Sequence, residues 1–598
     1  MAQLPGEVTE RSVTIHMTGV LCTQPAQLFQ SWQARGVIQH FVNDLRKRNS
    51  AYLRVLGDLA TEGSSHAPSA AAEALARLFS LLVDMPVNDV CVRAPDVAPL
   101  VEDPALLADM VERLYDRWRG YERYLIFEGK ADDSRDRAIE GHMPFIRNNQ
   151  DLTALVRDAY RRIQNHLKGF WPRVYRQVPA GANMSLLIEQ IDWQCPGGVY
   201  EPLRLIPMVR LALIAPPVTL YPRRNTRRGR FVPVPENPLA RAYLDPLRWV
   251  CIPLRVGELS FLFYFDREFM SLAVSLVNLF ELSGHSEARG KPDGIVLFGL
   301  PRELMGAEDT IFHIDEQNDI IVGAIGKSED VDYFGYCKKM TLTLHNTVMM
   351  RRGRWPVHGA MTRIRLQQGP EASLVIVGDS GAGKSESLEA FRLLADEWIS
   401  DMTVIFDDMG SLALTDDGRV LGFGTEIGAF VRLDDLDPGY AFGQFDRSIF
   451  MNPHRVNARV VIPITDYSHV VAGYPVSMLL YANNYEPVTD ESPALEFFRT
   501  PEEALEVFRA GQRAAKGTTD ERGLVRTYFA NPFGPEQLRD LHEPLAKRHL
   551  EGAYKAGVRV GQLRTRLGIE GWEQEGPLAA ARALFGHLRQ PAPSGERP

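Results

Sequence analysis

Along the first 200 residues the apolar positions recur at helical spacing. Phe41 and Leu45, Leu53 to Leu59, Ala71 to Val83, Leu106 to Trp118 and Leu152 to Phe170 each form such a stripe. The pattern predicts a mostly helical region over 1–200, interrupted by a loop at 64–70 where Ser, His and Pro gather. From 201 to 330 the signature changes: Tyr200 to Leu220, Trp249 to Leu254 and Leu259 to Phe265 are rich in β-branched and aromatic residues and broken by Pro and Gly, which predicts strands. A third region, 331–550, opens on a β-rich patch that leads to Trp355, then shows a short apolar strand, Leu374 to Val377. After a helical stretch with Leu388, Phe391, Leu393 and Leu394 comes Thr403 to Asp408, an apolar strand that ends in two carboxylates. Over 551–598 the spacing of Leu563, Leu567, Trp572, Leu578 to Leu584 and Leu588 predicts helix, and 590–598 reads as a disordered tail.

The strand at Leu374 empties into Gly378-Asp379-Ser380-Gly381-Ala382-Gly383-Lys384-Ser385, the spacing G-x-x-x-x-G-K-S, just ahead of the helical pattern. Strand, glycine-rich turn and helix form the setting that a P-loop requires. Its glycines let backbone N–H groups converge on phosphate oxygens, the helix N-terminus adds its positive end, Lys384 supplies a point charge and Ser385 a hydroxyl for Mg²⁺. Paired acids on a following strand, here Asp407 and Asp408, suit a metal on the nucleotide's phosphates.

Composition narrows the classes. The chain has 598 residues, 45% of them hydrophobic, and a net charge of -9, so no cationic field calls for nucleic acid. Five scattered cysteines without a C-x-x-C read as reduced thiols of a cytoplasmic protein. No run of about 18 apolar residues and no leader-like N-terminus occur, which argues against a membrane-spanning or secreted chain. Between the middle strands lies an arginine cluster, Arg223, Arg224, Arg227, Arg228 and Arg230, suited either to a solvated loop or to gripping an anion.

Around the P-loop the residues resemble the phosphoenolpyruvate carboxykinase superfamily, which includes the HPr kinases. Tyr333-x-Gly335-x-x-Lys338-Lys339 resembles the carboxykinase Y-x-G-E-x-K-K, His358 sits where that family has a metal-binding histidine, and Asp407-Asp408 resembles its D-D motif. Asn457-Ala458-Arg459 through Pro463 is similar to N-T-R-x-x-Y-P, and Gly517 to Gly523 with Asn531 to Gly534 to G-T-E-R-G and C-F-G. The order holds over about 200 residues. The departures are a missing G-R-S-P arginine, Tyr336 in place of the acid of Y-x-G-E, and a P-loop whose Asp379 and Ser385-Glu386 look like those of HPr kinases. Val357-His358-Gly359 and Glu426-Ile427-Gly428-Ala429 are likewise similar to HPr kinase elements.

The resemblance implies an α/β fold: a carboxykinase-type nucleotide domain with a mixed sheet over 331–550, a strand-rich lobe over 201–330, and a ligand in the cleft between them. It implies metal binding by Lys339, His358, Ser385, Asp408 and Glu426, the Lys339 amine being deprotonated. It implies nucleotide binding by Gly378, Ser380, Gly381, Ala382, Gly383, Lys384, Ser385 and Arg522, and catalysis by Lys384, by Arg459 on the transferring phosphoryl group and by Asp407 as the acceptor's base. The expected cofactors are ATP or GTP with Mg²⁺ or Mn²⁺. Three functions stay open: a kinase acting on a small metabolite or a protein hydroxyl; a true carboxykinase that draws its carboxylate-binding arginine from 223–230; or a nucleotide-binding regulator without turnover, with residues 1–200 docking a protein partner.

Overall fold

The computed structural model describes residues 6–17, 22–61, 69–128, 137–170, 178–367, 371–379, 381–394, 398–433, 436, 443–515 and 522–589. Two units form: Met1–Gln190 with Pro207–Ala215, and Ile191–Ile206 with Pro216–Pro598. Both mix helix and strand. Among the described residues no helix is long and apolar enough to cross a membrane.

The first unit is mostly helical, as its spacing predicts, but it is built on strands that the spacing does not show. Three strands, β1 (Ser12–Met17), β2 (Glu122–Glu128) and β3 (Met184–Glu189), pair in parallel, and β4 (Met208–Ile214) closes against β3 in antiparallel register. Helices α1 (Trp32–Lys47), α2 (Ala70–Leu82), α3 (Pro104–Gly120) and α4 (Arg137–Lys168) run between the first three strands. Each strand is short and flanked by much longer helices, so helical periodicity dominates any window that contains it. The helices start where side-chain oxygens can satisfy an open backbone N–H: Ser31 accepts from Ala34, Ser69 from Ala72 and Asp103 from Leu106.

In the second unit, β5 (Val218–Leu220) belongs to a small sheet described below, and the middle strands pair with one another. There β6 (Trp249–Val256) pairs antiparallel with β7 (Leu259–Asp266), β7 and β10 (Ile320–Gly326) flank β8 (Gly294–Leu300) in parallel, and β9 (Thr310–Asp315) runs antiparallel to β10. The stretch that reads as a β-rich patch between Tyr333 and Trp355 is an 18-residue helix, α5 (Phe334–Arg351), buried along nearly its whole length. Its Thr and Val residues favour strands only weakly, and burial on every side overrides that preference. Several of the polar residues it buries are paired: Thr341 and Thr347 donate to the carbonyls of Cys337 and Thr343, and Asn346 to that of Phe533.

The central sheet runs β14 (Val420–Gly424), β13 (Ile399–Leu414), β11 (Trp355–Leu366), β12 (Glu371–Val377), β18 (Met478–Asn483) and β19 (Arg559–Arg564). Its first four strands are antiparallel, while β12, β18 and β19 are parallel. Both faces are covered. Val375 and Val377 of β12 join the core that holds Phe508 of α7 (Pro501–Ala510) and Leu550 of α8 (Arg539–Lys555). The alternating Leu374 and Ile376 join Phe391 of α6 (Lys384–Leu393) and Phe585 of α9 (Glu575–Leu588). Two buried faces explain why this strand is a continuous apolar run. The small sheet orders β15 (Gly428–Arg432), β17 (Arg459–Pro463), β16 (Ile449–Met451) and β5.

Two further readings change. β13 continues six residues past Asp408 to Leu414, so the paired carboxylates sit in mid-strand and not at its end. The segment around Leu563, predicted helical, is β19, whose Leu563 packs in the core while Arg564 is held by Glu486 and Glu496. The 590–598 tail and most of the 64–70 loop lie outside the described residues.

Candidate functional site

β12 delivers the chain to Gly378, whose N–H donates to the carbonyl of His358 on β11 at 2.9 Å. The loop then turns through Gly381 and Gly383, with φ of 77° and 102°, and α6 starts at Lys384. Position 383 admits only glycine: its φ is closed to L side chains, and a Cβ there would lie 2.7 Å from the Thr565 hydroxyl oxygen. Thr565 in turn donates to the carbonyl of Ala382 at 3.1 Å, and Asn484 donates to that of Gly381 at 2.9 Å. Asp379 is clamped by Arg513 at 3.2 Å and by the Thr527 hydroxyl at 3.1 Å. The loop is held in shape by residues just past β18 and β19 and by Arg513 and Thr527. Ser380 and the side chain of Ser385 lie outside the described residues.

Lys384 reaches back over the loop to lie 3.2 Å from His358 Nε2. The opposite ring nitrogen, Nδ1, donates to the carbonyl of Ala530 at 2.6 Å, and Nε2 also meets Asp408 Oδ1 at 2.8 Å. Because a carbonyl can only accept, Nδ1 carries a proton, which turns Nε2 toward the Asp408 carboxylate and the Lys384 ammonium group. The Ala530 carbonyl is brought there by three successive residues with positive φ: Phe529, Ala530 and Asn531 at 48°, 58° and 60°.

Asp408 has φ 144°, a strained value for a non-glycine residue. Neighbouring strand side chains ordinarily alternate faces, yet Asp407 and Asp408 both act on Glu426, which lies between β14 and β15. Lys338, fully buried on α5, sits 2.6 Å from Asp408 Oδ2 and 3.1 Å from Glu426 Oε1. Burial works against its charge, but the two carboxylates outweigh it and hold its pKa above the ordinary lysine value. Although burial opposes its charge too, Lys338 and His358 hold Asp408 well below the usual carboxylate range. Glu426 goes the other way: burial first, then Asp408 and Asp407 push it up to about 8 against the pull of Lys338. The Thr425 hydroxyl donates to the carbonyl of Met409 at 2.9 Å and lies 3.4 Å from Glu426 Oε2.

Lys339 lies 4.7 Å from the centre of the Phe533 ring, and burial with the nearby Arg227 lowers its pKa to about 8. The amine that a metal would require is thus within reach near neutral pH. Of the arginine cluster, Arg223 and Arg224 pair with Glu329 and Asp330, and Arg230 is exposed beside Glu536. Arg227 turns inward against Phe231, with a buried Nε that has no partner. Arg459 stacks on Phe430, as does Lys338, and its Nε is likewise buried without a partner.

No family model and no curated protein matches the chain. What the residues can do therefore follows from their arrangement. Lys384, His358, Asp408, Lys338, Glu426 and Asp407 form one connected cluster, joined by Lys339 and Arg227 through their charges. Arg459 is bound to it through Phe430, and Arg522 stands exposed beside the 524–526 strand. Among the described residues no group of three or more His, Cys, Asp and Glu converges as a metal cage. The donors that fit a divalent cation are His358 Nε2 and Asp408, with the Lys339 amine and oxygens of a bound phosphate completing the set. Glu426, occupied by Lys338, is a second neighbour of that position.

Sequence reasoning assigned no role to Lys338, Asp379, Arg513, Thr527, Thr565 or Ala530. Lys338 was visible as half of the Lys338-Lys339 pair. Asp379 lies in the loop itself, and the others act on the loop or on His358 from 134 to 183 residues away, with no local pattern to mark them.

Proposed function

We propose that the chain is a metal-dependent phosphotransferase that moves the γ-phosphoryl group of ATP to a hydroxyl or carboxyl acceptor. The observation that carries this reading is the meeting of the P-loop lysine with His358 at 3.2 Å and of His358 with Asp408 at 2.8 Å. These groups come from three separate stretches of the sequence, and nothing in packing alone requires them to converge. Lys384 and the loop's N–H groups hold the β- and γ-phosphates; Lys338, Arg227 and Arg459 make the surroundings cationic, which stabilises a transferring phosphoryl group. A divalent ion held by His358, Asp408 and Lys339 would neutralise charge on the phosphate oxygens. Asp407, half-buried next to Asp408, takes the acceptor's proton, and the Ala530 carbonyl fixes the His358 tautomer.

The test is transfer of γ-phosphate from ATP across a panel of hydroxylated and carboxylated metabolites, with Mg²⁺ and with Mn²⁺ and with Lys384→Ala as blank. Transfer that the blank lacks sustains the reading, and nucleotide binding without transfer to any acceptor refutes it in favour of a regulator.

One observation favours a second reading, carboxykinase chemistry on oxaloacetate. Arg227 alone of its cluster is turned in beside Lys339 and Tyr333, where it could hold a substrate carboxylate. Phosphoenolpyruvate formation lost in Arg227→Ala and kept in Arg230→Ala would establish it. Equal loss or equal retention would dismiss it.

A further inference from the structure

The phosphate loop, 378–385, contains one carboxylate, that of Asp379, and it is buried. A P-loop meets its ligand with converging N–H groups, a helix N-terminus and a lysine, all of which favour an anion, so a carboxylate among them works against the rest. Asp379 does not stand apart from the site. Its Oδ1 lies 3.7 Å from His358 Nδ1, and its charge acts on the Lys339 amine. Left ionised and unpaired, it would repel a polyphosphate at close range and in a buried setting, where salt screens little.

Arg513 offsets that charge. Its Nε donates to Asp379 Oδ2 at 3.2 Å, and the Thr527 hydroxyl reaches the same oxygen at 3.1 Å. Both members of the ion pair are buried, with side chains 7% and 6% exposed. The arginine stands on a fixed support. It belongs to the strand Gln512–Ala514, which pairs antiparallel with Leu524–Arg526. On one side of it the Tyr481 hydroxyl donates to the carbonyl of Gln512 at 2.7 Å. On the other, the Asn484 amide accepts from the N–H of Ala514 at 2.8 Å and donates to its carbonyl at 3.1 Å, while donating also to the carbonyl of Gly381. Asn484 therefore sets the spacing between the arginine's strand and the phosphate loop. Removing one partner of a buried ion pair leaves the other charge uncompensated; here the charge left behind would be negative and inside the phosphate loop.

We infer that Arg513 is a positioning residue for phosphate binding: it neutralises Asp379 and fixes the carboxylate toward its own strand, so that the incoming anion meets Lys384 and the loop's N–H groups without an opposing charge. The inference rests on the nucleotide reading above and adds to it a residue from outside the loop. It is tested on the full chain by fluorescence titration with methylanthraniloyl-ATP and Mg²⁺, with melting temperatures recorded alongside. Arg513→Gln should weaken binding by at least about tenfold. Adding Asp379→Asn removes the charge left behind, and the double variant should recover to within about threefold of the parent. An ion pair that served only the loop's shape would leave the double variant as weak as the single one, and that result overturns the inference. A lower melting temperature with unchanged affinity in Arg513→Gln overturns it too, by assigning the pair to stability alone. If Arg513→Gln does not fold, the neutral double variant decides: folded and binding it sustains the inference, folded and not binding it overturns it. A parent that binds no nucleotide overturns the nucleotide reading itself, and this inference falls with it.

Discussion

The substitution Glu426→Gln should make the protein more stable, and increasingly so as the pH rises. The Glu426 side chain is fully buried beside one lysine and two carboxylates, and its pKa rises from an ordinary 4.5 to about 8. An acid whose pKa is raised on folding binds a proton in the folded state that the unfolded chain has released, so stability falls between pH 4.5 and 8 and levels off above. At about 1.4 kcal/mol per decade of this gap, the loss is ~3 kcal/mol at pH 7 and ~5 kcal/mol above pH 8. Glutamine copies the protonated form: its carbonyl accepts from Lys338, and it has no proton to take up. Urea unfolding of the second unit, followed by tryptophan fluorescence at pH 5, 7 and 9, should show the variant gaining on the parent by those amounts. Parallel profiles from pH 5 to 9 would refute a protonated Glu426. The same variant separates two roles, because a glutamate that ligates metal would lose turnover on becoming glutamine, whereas a protonated neighbour of Lys338 would keep most of it.

Asp408→Asn should act in the opposite sense. The Asp408 pKa is depressed, so its contribution is present above its unfolded pKa near 3.8 and is lost as the pH falls through the folded value; the variant should be destabilised at pH 7 and closer to the parent at pH 3, read by the same unfolding assay. Gly383→Ala should abolish detectable nucleotide binding in a fluorescent-ATP titration and destabilise by about 1–3 kcal/mol, and adding Thr565→Ala should not restore it, since removing the clash leaves the φ of 102°. With Lys339 at about 8, turnover that requires its free amine should rise as the pH passes 8, and a rate independent of pH from 7 to 9 would show that the amine is not used.

The strand, glycine-rich turn and helix around 378–385 were legible because their information is local: spacing, glycines and flanking apolar runs all lie within some twenty residues. The central sheet was partly legible for the same reason, since a strand buried on both faces, such as β12, is uniformly apolar. α5 was not. Its Thr-Leu-Thr-Leu alternation at 341–344 mimics a half-buried strand, and only burial on every side makes it a helix. The placement of Asp407 and Asp408 escaped because a strand's end is a property of its partners, here β11 and β14, and not of its own residues. The strands of the first unit were hidden by the longer helices around them. The clamp on Asp379 joins positions 379, 513 and 527 and leaves no trace in any one window.

The grip on His358 has a genetic consequence. It is made by a main-chain carbonyl at a residue that is already alanine. An alanine scan passes over position 530 without altering it, and no side-chain replacement there deletes the oxygen. Glycine, at ease with φ 58°, would be accepted without effect. Only changes in chain length or path, an inserted or deleted residue between 528 and 531 or a proline that forbids the left-handed turn, would release the imidazole. A mutational map of this protein would therefore show a tolerant position at one of the contacts on which the site depends most, and insertions would expose what substitutions miss.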